Sequence, residues 1–174
     1  MLNLKHLHAI KRGSESWNQW KLDNPYVEPD LSGADLSGAD LRHADLTGAD
    51  LSGANLREAD LDSANLKDAN LSQADLRRAN LCNAYVGNAD LADADLEDAN
   101  LDNMRFWNTN LRGANLSGVN LPGDKLSQVF LGNTKIDPHL VNSYYCFEYE
   151  AQHLRILREG VAAWNKRRTG RLVV

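Results

Sequence analysis

Cysteine is nearly absent: Cys82 and Cys146 are the only two in 174 residues. Two thiols cannot build a disulfide framework, and their separation matches no metal-ligand spacing. No apolar run reaches the length of a signal core or a membrane span. A cytoplasmic chain in a reducing compartment, without membrane contact, is the expectation. Catalytic signatures are missing as well. The five histidines are scattered, and His6 and His8 stand on neighbouring helix faces without a third ligand. There is no nucleophile elbow and no phosphate loop. Carboxylates are plentiful, but they recur too uniformly for one pair to be singled out as acid and base. The chain is therefore not expected to be an enzyme, and no catalytic residue, metal, cofactor or small-molecule substrate is assigned to it.

What the chain does have is a five-residue unit that recurs without a slipped register from Pro29 to Asp137. A large aliphatic or aromatic residue stands at every fifth position, from Leu31, Leu36 and Leu41 through Val86, Phe106, Leu126 and Leu131 to Ile136. Ala nearly always precedes it by two positions, with Asp or Asn between. Five residues advance an α-helix by about 500°, so leucines at this spacing scatter around it and leave no apolar stripe. A flat strand fails too, because an odd period throws alternate leucines onto opposite faces. The pattern closes if each unit is a short extended piece followed by a corner. Ala and Leu then share the inner face, and glycines such as Gly33 and Gly53 suit the turn. The chain winds into a solenoid with a leucine-filled axis and polar walls. Alanine contributes by being small, since bulk at both inward positions would overpack the axis.

The run typified by Ala34-Asp35-Leu36-Ser37-Gly38 resembles the pentapeptide-repeat proteins, cyanobacterial members in particular. That resemblance implies a mainly β fold, a right-handed quadrilateral β-helix with four units to a coil. It implies about five coils stacked at the β spacing of about 4.8 Å, a rod roughly 25 Å long. Three segments follow: an N-terminal helical cap over 1–28, the β-helix over 29–137, and a helical region over 138–174.

Leu4, Leu7, Ile10, Trp17 and Trp20 predict one amphipathic helix from about Leu4 to Lys21, with a kink possible at Gly13. An open coil end exposes leucines and unpaired backbone groups, so this helix is read as a cap. Its polar face is too weakly cationic for a membrane-surface helix. Asp137-Pro138 stops the repeat, and helix is expected again beyond it. There His153-Leu154, Gly160 and Trp164-Asn165 repeat His6-Leu7, Gly13 and Trp17-Asn18 at an offset of 147 residues. Leu154, Leu157, Val161 and Trp164 occupy the spacing of Leu7, Ile10, Ser14 and Trp17. The candidate helix docking face is therefore Leu7, Ile10, Trp17, Leu154, Leu157, Val161 and Trp164. It would contact either this rod or another copy, giving a monomer or weak self-association. The basic finish, Lys166-Arg167-Arg168 and Arg171, is too short to indicate nucleic-acid binding.

With 20 residues to a coil, positions 20 apart stack on one wall. Most slots before the core residue then form ladders of Asp and Asn, such as Asp30, Asp50, Asn70, Asp90 and Asn110. A calcium ladder is not assigned, because no glycine-aspartate calcium signature is present. One wall departs from the rule and reads Asp45, Asn65, Tyr85, Arg105, Lys125, with Trp107 after Phe106. Tyr85, Arg105, Trp107 and Lys125 should make a basic, aromatic patch. Either it is internal packing, with Arg105 stacked on Tyr85 and the terminal helix over Trp107, or it is where a protein partner docks. Asp30 to Ile136 contains 17 acidic against 9 basic residues, a net of −8, while the whole chain carries −5. Two functions remain. One is a non-enzymatic rod that recognises an unidentified protein through one wall or its terminal helices. The other, implied by the resemblance, is a DNA mimic acting on gyrase. Arg57, Arg77, Arg78, Arg105 and Arg112 interrupt the acidity that mimicry needs.

Overall fold

The computed structural model describes residues 3–120 and 129–136. From Asp30 onward the backbone makes one parallel bridge in each five-residue unit, to a residue 20 positions away. Asp30 faces Asp50, Asp35 faces Asn55, Asp40 faces Asp60 and Asp45 faces Asn65, and these four columns continue to Asn110, Asn115, Asn100 and Arg105. The chain is thus a four-sided coil. Each side is too short for an ordinary strand, so most of the ladder consists of single bridges. Two-residue strands form at Thr109–Asn110 (β1), Asn115–Leu116 (β2), Val129–Phe130 (β3) and Lys135–Ile136 (β4). β1 pairs with β3 and β2 with β4, both in parallel.

The hydrogen bonding explains the five-residue formula. The amide of Leu31 donates to the Asp50 carbonyl at 2.7 Å, and the amide of Asp50 donates to Pro29 at 2.8 Å. Ala34 closes each corner by donating to the Leu31 carbonyl at 3.0 Å. Between them the Asp or Asn carboxylate or amide oxygen accepts the amide two residues on, as from Ser32 to Asp30 and Ser72 to Asn70, both at 3.1 Å. This side-chain turn folds the chain into the corner. It is the local reason for Asp or Asn in that slot.

The leucines and alanines fill the axis, from Leu31 to Leu116, nearly all without solvent contact. Each buried leucine is worth at most about 1.5–3 kcal/mol. Two threonines take alanine slots, and their hydroxyls donate to inner carbonyls: Thr109 to Val86 at 2.8 Å and Thr134 to Leu111 at 2.6 Å. A polar group enters the axis only with its hydrogen bond made.

The corners are more demanding than the glycine count indicates. Twelve non-glycine residues, among them His43, Glu58, Gln73 and Arg78, share the left-handed backbone conformation of the corner glycines. The ladder holds that conformation whatever residue occupies it, at a cost that Asn and Asp bear best.

The expected single N-terminal helix is two. α1 spans Leu4–Ile10 and α2 spans Ser14–Asp23, with Gly13 between them at φ +101°. That left-handed turn reverses the chain and lets both helices lie on the open edge of the first coil. Ile10 and Trp17 are buried there, and Trp17 stacks on Trp20 at 5.0 Å. Side chains take the places that a preceding coil would fill. The Trp17 indole donates to the Asp45 carbonyl at 2.8 Å. Asn18 donates to the His43 carbonyl at 3.0 Å and accepts the Asp45 amide at 2.7 Å. Lys21 donates to the Thr47 carbonyl at 2.7 Å, and the Asp30 amide donates to His6 Nδ1 at 2.9 Å.

Two stability predictions follow from this geometry. A methyl group at Gly53 meets nothing within 4 Å, so Gly53→Ala should cost about 1 kcal/mol from backbone conformation alone. At Gly113, in the same corner column, the methyl group collides with the Asp93 carboxylate. That carboxylate is the free end of an exposed side chain and swings aside at little cost, so Gly113→Ala should cost about the same as Gly53→Ala in urea unfolding, and a clearly larger cost would show that the Asp93 side chain is held in place. Trp17→Phe keeps most of the bulk but strands the Asp45 carbonyl, and should lose about 1–2 kcal/mol in the same measurement.

Candidate interaction surfaces

Three of the four walls carry acid and amide ladders whose order limits repulsion. Where Asn lies one coil beyond Asp, its amide donates to the carboxylate, from Asn70 to Asp50 at 3.1 Å, Asn80 to Asp60 at 2.8 Å and Asn110 to Asp90 at 2.8 Å. Asp stacks on Asp at three bridges, 30 on 50, 40 on 60 and 75 on 95. Two of these are spanned by an arginine. Arg42 pairs with Asp40 at 2.6 Å and reaches Asp60 at 3.6 Å, and Arg77 pairs with Asp75 and reaches Asp95 at 3.6 Å. The hydrogen bond from Arg42 holds the Asp40 carboxyl down to about 2, and that from Arg77 lowers Asp75. For Asp45, burial pushes the other way but is outweighed by the Thr47 hydrogen bonds and the Lys21 charge. From Asp30 to Asn115 these ladders are solvated and offer no apolar anchor.

The fourth wall differs. Tyr85 bridges to Arg105, and the Arg105 guanidinium lies over the Tyr85 ring, 5.2 Å from its centroid. The Tyr85 ring folds back over Gly87, where any side chain would meet the phenol. That contact buries Gly87 and leaves Tyr85 half-buried. Phe106 points into the axis, while the next residue, Trp107, is 54% exposed. A second stack of the same kind stands on the adjoining wall, where the Arg112 guanidinium lies 5.8 Å from the Phe130 ring centroid and Phe130 is 48% exposed. The sequence reading missed Arg112 and Phe130. Extending the twenty-residue step from Asn110 by one coil places Phe130 at once. Arg112 carried no signal of its own.

Of the residues singled out from sequence, the structure brings Tyr85 and Arg105 into contact and leaves Trp107 facing outward. Lys125 lies outside the described residues. Leu7, Ile10 and Trp17 face this chain's own first coil, with Leu7 only partly buried. Leu154, Leu157, Val161 and Trp164 also lie outside the described residues. Among the described residues no group of three His, Cys, Asp or Glu side chains is placed to hold a metal ion, and no helix is long and apolar enough to cross a membrane. Burial and the neighbouring Asp62 and Asp102 carboxylates raise the Cys82 thiol, which favours its protonated form.

The Asp40 shift gives a pH test. Its folded value lies below that of the unfolded chain, so the pair with Arg42 stabilises the fold above about pH 4 and ceases to do so as pH falls through about 2. In Arg42→Gln, carboxyl NMR titration should find Asp40 raised toward its ordinary value, with the part due to the backbone amide of residue 42 retained. The stability gap from wild type, present at pH 7, should close by about pH 2. A gap that persists in acid would assign the effect to something other than this pair.

The profile for pentapeptide repeats matches residues 30–62, 64–85 and 89–128, in eight copies. Among solved structures, the pentapeptide repeat protein Rfr23 from the cyanobacterium Cyanothece 51142 is 31% identical, with a TM-score of 0.50 over 69% of this chain and 93% of that one. The pentapeptide repeat protein alr5209 from Nostoc PCC 7120 is 28% identical, with a TM-score of 0.56 over 67% and 93%. Full-length QnrB1, a plasmid-mediated fluoroquinolone resistance protein, is 19% identical with a TM-score of 0.30 over 75% and 73%, a likeness that carries no functional weight. No curated protein matches the chain. Proteins of this kind adopt a right-handed quadrilateral β-helix, and the twenty-residue bridge ladder gives this chain the four sides of that architecture. The chain belongs to the pentapeptide-repeat family.

Proposed function

We propose that the protein is a non-enzymatic interaction module, a rigid cytoplasmic rod that recognises another protein through the face carrying Arg105, Trp107, Arg112 and Phe130. The observation behind this reading is the exposure of Trp107 and Phe130, Phe130 under the Arg112 guanidinium and Trp107 two residues from Arg105, on a rod whose surface is otherwise mostly acid and amide ladders. Exposed aromatic and arginine side chains are the usual anchors of protein interfaces. The rod is the five-coil body over 29–137, and the segments 1–28 and 138–174 are its helical ends. Tyr85 belongs to the support of this face, since its ring covers Gly87 and carries Arg105.

Mimicry of DNA is the weaker reading on charge. A rod roughly 25 Å long would need on the order of 15 negative charges to match duplex DNA at one per about 1.7 Å. Asp30 to Ile136 carries a net −8. Part of that is drawn into pairs such as Arg78 with Glu58 at 3.1 Å and Lys67 with Asp68 at 3.4 Å.

A variant carrying Arg105→Ala, Trp107→Ala and Phe130→Ala, with Tyr85 retained, tests the reading. Its melting temperature should stay within a few degrees of wild type, because exposed positions contribute little to stability. Proteins that cross-link to the wild type in cells should be lost. Capture that is unchanged by a folded triple variant would remove this face from consideration. In a gyrase supercoiling assay a stoichiometric excess of the protein should have no effect, and inhibition would revive mimicry.

A further inference from the structure

In covering the first coil, the N-terminal helices leave their outward sides without a neighbour. α1 turns His6 and Ile10 inward and α2 turns Trp17, Asn18 and Lys21, so both helices are held from beneath. A cleft of about 700 Å³ stays open between them on the side away from the coil. Leu4, Ala9 and Trp20 form its apolar part. Trp20 is fixed there by stacking on Trp17 at 5.0 Å and by contact with His6 at 4.7 Å, while Leu4 is 73% exposed. Along the α1 side stand Lys5, His8 and Arg12, over roughly 10 Å at about 1.5 Å per residue. The α2 side contributes Asp23, which Gln19 holds by a hydrogen bond at 2.9 Å.

Cations on the rod are already engaged. From Arg42 to Arg112, Arg42, Arg57, Lys67, Arg77 and Arg78 pair with carboxylates, and Arg105 and Arg112 lie over rings. Lys5 and Arg12 are exposed and, among the described residues, their side chains meet neither a carboxylate nor a ring. The acidic ladders repel a second acidic chain along most of the rod, whereas this cleft attracts it. Charge therefore fixes where such a chain lands, and the apolar floor gives it something to seat on.

We propose that this cleft is a docking site for an acidic amphipathic helix of a partner protein. The aliphatic side chains of that helix seat on Leu4, Ala9 and Trp20, and carboxylates a turn apart along its edge meet Lys5, His8 and Arg12. A cleft of this volume takes the side chains along a few turns of one helix rather than the face of a domain. Docking also steadies the cap, because α1, at 7 residues, is far too short to be stable alone. The site stands at the first coil, away from Arg105, Trp107, Arg112 and Phe130, and does not depend on them.

The test titrates the full chain into a labelled synthetic helix of about 14 residues, with Leu along one side and Glu along both edges, followed by fluorescence anisotropy. A twin peptide with Lys for every Glu is the control. The Glu peptide should bind, more weakly as salt rises from about 50 to about 300 mM, and the Lys peptide should not. Lys5→Glu with Arg12→Glu should weaken binding about tenfold, as two exposed attractions become repulsions. Leu4→Ala should weaken it severalfold, because that side chain is buried only in the complex. All three positions are exposed, so melting temperatures should stay within a few degrees of wild type. Trp107→Ala with Phe130→Ala should leave binding unchanged, which separates this site from the other face. No binding of the Glu peptide, equal binding of both peptides, or indifference to either the Leu4 or the Lys5 and Arg12 changes overturns the proposal. Vesicles of phosphatidylglycerol and phosphatidylcholine form the last arm. Binding to them through Lys5 and Arg12, without binding of the peptide, would overturn it in favour of a membrane surface.

Discussion

Each coil of this protein hydrogen-bonds the coil before it and the coil after it, and that saturation governs the rest of the molecule. Through the body of the rod amides and carbonyls are bonded in both directions along four walls, whereas the first coil has no coil before it. A sheet can leave an edge to water or blunt it with charge. A coil cannot do so as easily, because its end also opens the leucine axis. The N-terminal helices meet both needs with the same residues: Trp17 and Ile10 cover the apolar opening while His6, Asn18, Lys21 and the Trp17 indole reproduce the ladder in side-chain form.

The same register explains which parts of the molecule were legible in the sequence. A period of five admits neither helix nor flat strand, and the spacing alone therefore yields the coil, the leucine axis and the columns of residues 20 apart. Contact between Tyr85 and Arg105 could be read before any coordinates, because stacking by 20 is arithmetic. The N-terminal segment was legible only in part. Its apolar spacing is continuous through Gly13, so the pattern reads as one helix, whereas the first-coil edge demands two short helices and a reversal at φ +101°. Periodicity records which side of a helix is apolar, and it is silent about what shape the covered surface has. The corners were underestimated for a related reason. Glycine marks a left-handed turn where it occurs, but the ladder imposes that turn on Glu58, Gln73 and Arg78 as well.

Charge on the rod is arranged by neighbours along the axis rather than along the chain. Alternation of Asp with Asn gives carboxylates such as Asp50 and Asp90 a donor from the next coil, and two of the three steps where alternation fails, those at Asp40 and Asp75, have an arginine two residues later. Those arginines look arbitrary in sequence. In the coil they stand where two carboxylates are brought within one β spacing. Arg42 and Arg77 are therefore accounted for by the ladder, and they supply no evidence of a binding site. Arg105 and Arg112 have no such carboxylate pair beneath them, and lie over aromatic rings instead.

That contrast is the strongest reason to look for recognition at the fourth wall and the wall adjoining it. In a repeat this regular, almost every residue is explained by its column, and function is carried by what the columns leave unexplained. Thr109 and Thr134 depart from alanine, but each hydroxyl is satisfied by an inner carbonyl, so they are packing variants. Tyr85 departs from Asp and Asn, and Gly87 departs from the polar residues usual at that position to make room for its ring, so these two changes are coupled. Among the described residues no coupled change of this kind accompanies Trp107, and Phe130 is met by the Arg112 guanidinium. Leaving two large apolar side chains about half exposed gains the fold little, since burial is the source of their stabilising energy. On the reading proposed above, their gain lies in contact with a surface beyond the rod, and the neighbouring arginines would fit that surface to be acidic or aromatic.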